Sequence, residues 1–103
     1  MATRVLAAVD SATRRRGLLG RDGLEPGEAM VIAPTSAVHT FWMRFPIDVA
    51  FVRKDGTVVK TREAVAPWRI AGAIGAYCVI ELEAGALARH GTRAGDELEV
   101  VRD

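Results

Sequence analysis

Residues 47–65 read as a β-hairpin, and that hairpin limits what the rest of the chain can do. Over 47–53, Ile47, Val49 and Phe51 alternate with Asp48, Ala50 and Val52, which is the two-residue period of a strand. Lys54-Asp55-Gly56 follows, and Asp-Gly supplies the positive φ that a tight turn needs. Residues 57–65 make the return strand, with Lys60 and Arg62 on one face. A chain built around such a hairpin needs further strands to cover its apolar face.

Candidates for those strands lie on both sides. Residues 3–9, 29–33, 77–83 and 97–101 are short apolar runs with strand-type residues, and Pro34 stops the second. In 77–83, Cys78, Ile80 and Leu82 are expected to face inward, with Tyr77, Val79, Glu81 and Glu83 on the other face. A strand over 38–43 precedes the hairpin across Pro46, which cannot donate to a ladder. Its alternation sets Val38, Thr40 and Trp42 against His39, Phe41 and Met43.

Two short helices complete the reading. One is capped by Asp10 or Ser11 and runs to about Leu19 with Gly20 as its stop; the other lies within 84–90 before Gly91. Residues 66–76 are broken by Pro67, Gly72 and Gly75 yet made apolar by Trp68, Ile70 and Ile74. Such a loop is either tucked over the core or presented to a partner.

No helix alternates regularly with the strands, which argues against a doubly wound parallel sheet. The expected class is mainly β (α+β), a small antiparallel β-sandwich or half-open barrel with two short helices on its rim.

The 103 residues suit one domain, 1–103, with one core. A net charge of +1 gives no strong field for nucleic acid. The single cysteine, Cys78, excludes an internal disulfide or a multi-cysteine metal cluster. No apolar run approaches the roughly 18–20 residues of a membrane span. The apolar run in 1–10 is too short for a signal-peptide core. A cytoplasmic chain is expected, with trimming from an exported precursor left open.

Side chains able to do chemistry gather around the aromatic stretch 38–51, which holds all three Phe and one Trp. His39 beside Asp48 or Glu81 could act as a base with its orienter, as in a small hydrolase or lyase. Equally, Asp48 could fasten a turn while His39 is a half-exposed strand residue. Arg16 stands where the first helix turns inward; it could clamp Glu81 or Asp48 bidentately or wall an anion site. Trp42, Met43 and Trp68 could line an apolar groove or simply pack. No His-Glu-x-x-His or phosphate-loop pattern is present, so neither a metal nor a cofactor is expected.

Several segments in order resemble one family: Arg16-Gly17-Leu18-Leu19-Gly20-Arg21, Phe41-Trp42-Met43-Arg44, Pro46-Ile47-Asp48-Val49-Ala50-Phe51, Asp55-Gly56, Pro67, Val79-Ile80-Glu81-Leu82-Glu83-Ala84-Gly85 and Gly95-Asp96. They are similar to the domain of unknown function 192 family. Relatives commonly carry Met where this chain has Leu19, and a longer polar segment where it has Arg44-Phe45. The resemblance implies a compact β-rich single domain, widespread in bacteria and archaea, with no established activity. Carried across, its characteristic positions are Arg16, Gly17, Arg21, Trp42, Met43, Asp48, Pro67, Glu81, Gly85 and Asp96.

Three functions follow as expectations. The leading one is a binding module with a groove around Trp42, in which Arg16, His39, Met43, Asp48, Trp68 and Glu81 orient a small polar ligand or a peptide. The second is the His39 enzyme. The third is an interaction module that uses the apolar loop 66–76, in a chain that is a monomer or weak homodimer.

Overall fold

The structure is a computed structural model that describes the backbone of residues 4–8, 28–41 and 43–98, and the side chains of 29–41 and 43–98. Seven strands and one helix occur among the described residues: β1 (Arg4–Ala8), β2 (Glu28–Ile32), β3 (Ala37–His39), β4 (Ile47–Val52), β5 (Val58–Val65), β6 (Ile70–Gly72), β7 (Cys78–Glu83) and α1 (Ala86–His90). Five strands form one sheet in the order β1-β2-β7-β4-β5, and β3 pairs with β6 in a separate ribbon. β1 and β2 are parallel; the remaining pairs are antiparallel. The mainly β, largely antiparallel class is therefore as the sequence suggests.

β4 lies between β7 and β5, and its six residues are all buried. Its alternation divides the core in two. Ile47, Val49 and Phe51 join Met30, Ile32 and Val79 on one face, where Met43, Ala71 and Val38 from the ribbon side cover them. Ala50 and Val52 join Ile80, Leu82 and Val58 on the other, where Ala86 and Leu87 of α1 cover them. Each large side chain fully removed from water contributes about 1.5–3 kcal/mol, so Phe51, Ile47, Val49, Leu82 and Leu87, all at 2% exposure or less, dominate stability.

The structure corrects three details. β7 is the middle strand of the sheet, so its Val79 and Glu81 face is as buried as its Cys78, Ile80 and Leu82 face. The strand expected over 38–43 ends at His39, because β6 offers it a three-residue partner. That partner lies inside 66–76, between the breaks at Pro67 and Gly75. Of the expected strand 97–101, the described part holds a bridge from Glu97 to Thr57 and a bond from Leu98 N to Gly56 O, and 99–103 lie outside the described residues. So does the first expected helix, while the second is present as α1.

The hairpin turn is a three-residue connection. Gly56 N donates to Arg53 O at 3.0 Å and Thr57 N donates to Asp55 Oδ1 at 2.9 Å. Gly56 takes φ +96°, and a Cβ there would lie 2.3 Å from Leu98 O. Both the left-handed backbone and the close approach require glycine. Gly56→Ala is expected to cost about 2 kcal/mol in urea denaturation. An unchanged midpoint would mean that the 95–98 segment does not pack on the turn in solution.

Candidate functional site

Asp48 is fully buried on the helix side of the sheet. Its Oδ2 accepts from Leu87 N at 3.0 Å and Gly85 N at 3.1 Å, and its Oδ1 accepts from Ala64 N at 2.8 Å. Gly85 caps α1 but has no side chain to bond the first turn. Asp48 supplies from β4 the oxygen that an N-cap residue would normally provide. Ala64 sits at φ +49° where β5 slips by one residue against β4, so the same carboxylate also holds a β-bulge. Three backbone donors occupy it, which is the turn-fastening role and not that of a base's orienter.

Glu81 is also buried, at 4% exposure, but on the opposite face. Its pairing partners are Val49 in β4 and Met30 in β2, whereas Asp48 pairs with Leu82. Directly opposed residues share a face, so the sheet itself separates the two carboxyls. No hydrogen bond to the Glu81 carboxylate occurs among the described residues. Removal from water pushes its pKa up to about 7, since burial disfavours the charged form.

His39 lies in the ribbon and is exposed. Its Nδ1 accepts from Phe41 N at 3.3 Å, and no hydrogen bond links it to Asp48 or Glu81 among the described residues. Its ring instead begins an aromatic row. His39 and Phe41 have centroids 5.0 Å apart, and Phe41 stacks with Trp68 at 5.8 Å. His39 is also paired with Ile70, which is 70% exposed. The row is thus continuous with an apolar side chain at the surface.

Thr40 organises this row, although nothing in its local sequence singles it out. It is 1% exposed. Its Oγ1 donates to Ala66 O at 2.7 Å and accepts from Arg69 N at 2.8 Å. Its backbone N donates to Arg69 O at 2.8 Å, and its O accepts from Trp68 N at 3.0 Å. Trp68 takes φ +67°, which is costly for a bulky residue. Four bonds to one buried threonine hold it there while its side chain remains 51% exposed.

The structure therefore brings together His39 and Trp68 of the expected residues, and adds Phe41, Thr40 and Ile70. Met43 is core, 7% exposed beneath the ribbon. Arg16 and Trp42 lie outside the described residues. No group of His, Cys, Asp or Glu among the described residues could hold a metal ion. Cys78 is buried, and desolvation pushes its thiol pKa up, as for an inert core thiol. No described helix is long and apolar enough to cross a membrane.

Two solved structures share this fold. One is a Sinorhizobium meliloti protein provisionally called a transcription regulator: it is 29% identical with a TM-score of 0.85, over 92% of this chain and 79% of that one. The other is a protein of unknown function from Novosphingobium aromaticivorans, 27% identical with a TM-score of 0.84, over 93% of this chain and 74% of that one. No curated protein matches. The profile of DUF192, described as uncharacterized ACR, matches residues 1–100. With that match running nearly end to end, this chain belongs to the DUF192 family.

Proposed function

We propose that this chain is a binding module whose contact surface is the aromatic row His39–Phe41–Trp68 with Ile70, and whose ligand is a peptide. One observation carries the reading: a half-exposed tryptophan is kept in a left-handed backbone conformation by bonds to buried Thr40. Strain of about 1–2 kcal/mol persists only where surrounding structure over-determines it, and it gathers at ligand sites. Half of the surface of Trp68 stays in water, where a partner can cover it. A rigid aromatic with few rotors is, by contrast, an efficient contact for a partner.

The enzyme reading gains no such support, since Asp48 is taken up by three backbone donors and Glu81 lies on the opposite sheet face from it. A panel of sugars, nucleotides and apolar peptides titrated into ¹⁵N-labelled protein tests the proposal. Peptides are expected to move the Trp68 indole and Ile70 amide resonances. Trp68→Ala is expected to abolish that response while leaving the chain folded, at a cost of about 1–3 kcal/mol. If no member of the panel moves either resonance, the reading fails.

A further inference from the structure

We infer that the peptide this surface takes is acidic as well as apolar, with carboxylates flanking large hydrophobic side chains. The inference rests on the binding reading above and names the chemistry of its partner. The large hydrophobic residues exposed among the described residues are Trp68, Ile70, Ile74 and Tyr77. All four fall within the ten residues 68–77, on one segment of the chain and not scattered along it.

The segments that carry this stretch hold charge of one sign. No Asp or Glu occurs in 33–47 or in 64–80. The chain has only two lysines, and both border these residues. Lys54 Nζ stands over the Tyr77 ring, 5.5 Å from its centroid, and Lys60 Nζ donates to Gly72 O in β6 at 3.0 Å. Arg69, exposed between Trp68 and Ile70, donates from Nη1 to Trp68 O at 3.3 Å. Among the described residues, the exposed acids Asp55, Glu63, Asp96 and Glu97 sit on the hairpin turn, on β5 and after α1.

A second copy of the chain fits poorly. A two-fold interface places the same patch on both sides, and would set these cations against one another with no acid within 64–80 to receive them. A partner with the opposite charge pattern gains from every one of them. His39 can add a directional contact. Its Nδ1 already accepts from Phe41 N, so the neutral ring carries its proton on Nε2.

The test uses three synthetic peptides with one Leu-Phe-Leu centre flanked by Asp/Glu, by Ser or by Lys, titrated calorimetrically into the full chain at 50 and 300 mM NaCl. Vesicles of phosphatidylglycerol or phosphatidylcholine form a parallel arm. The acid-flanked peptide is expected to bind about tenfold tighter than the Lys-flanked one at low salt, and to lose most of that margin at high salt. Arg69→Glu and Lys54→Glu, each checked by thermal melting, are each expected to weaken it about three- to tenfold and to spare the Ser-flanked peptide. Equal binding of all three peptides overturns the acidic preference and leaves the binding surface standing. Binding to phosphatidylglycerol vesicles without binding to any peptide overturns the peptide in favour of an anionic lipid surface. No binding in either arm overturns both this inference and the reading beneath it.

Discussion

Asp48→Ala is expected to remove about 4 kcal/mol of stability at pH 7, a large share of the roughly 5–15 kcal/mol that holds a domain together. The mechanism is not a lost ion pair. Three backbone N–H groups, of Ala64, Gly85 and Leu87, lose one shared acceptor, and no other side chain caps the first turn of α1. A buried donor left without a partner costs about 1–3 kcal/mol, and the Leu87 bond is the buried one. Asp48→Asn keeps one oxygen acceptor and is expected to lose about 2 kcal/mol. Urea denaturation measures both. Hydrogen exchange locates the effect: the Leu87 and Gly85 amides are expected to lose protection first, because α1 has only five residues and cannot sustain itself. A loss below about 1 kcal/mol for Asp48→Ala would mean that water replaces the carboxylate at all three donors.

The sequence states local facts well and long-range ones poorly, and this site shows the division. The strands over 47–52, 58–65 and 78–83, the Asp-Gly turn and the helix before Gly91 follow from alternation and from residues with special backbone preferences. The family follows from short motifs in a fixed order. Asp48 was legible as a buried polar residue inside an apolar strand, yet its partners stand 16, 37 and 39 residues away and are main-chain atoms, which carry no side-chain signature.

Thr40 was not legible at all for the same reason; its side-chain partners are 26 and 29 residues away. Alternation gives each strand two faces, but not which face of β4 meets which face of β7. Only the register, with Glu81 opposite Val49, shows that Asp48 and Glu81 cannot share a pocket. β6 was hidden because a three-residue strand between Pro67 and Gly75 is too short to show a period. Trp68 and Ile70 did stand out, as large apolar residues in a segment too broken to be ordinary core.

Glu81→Gln is expected to stabilise the protein at pH 8 by about 3 kcal/mol and to change it little at pH 4. Burial is what raises this carboxyl from the ordinary 4.5 to about 7. The folded chain therefore holds a proton that the unfolded chain has already released between those two values. Where the native state binds more protons, stability falls as pH rises. The contribution is full below pH 4.5, declines through about pH 7, and is gone above it. At about 1.4 kcal/mol per pH unit, that window amounts to roughly 3 kcal/mol. Glutamine mimics the protonated acid in shape and neutrality, so it removes the slope without opening a cavity. Denaturation curves for the wild type and the variant, measured every half unit from pH 4 to pH 8.5, decide the matter. Curves that meet near pH 4 and separate as pH rises, with the variant above, are the expected result. The opposite separation, with Glu81→Gln less stable at pH 8, would show that a cation pairs with the carboxylate in the folded chain. Glu81 would then be one half of a clamp, as the Arg16–Glu81 alternative in the sequence requires, and not an acid kept neutral by the core around it.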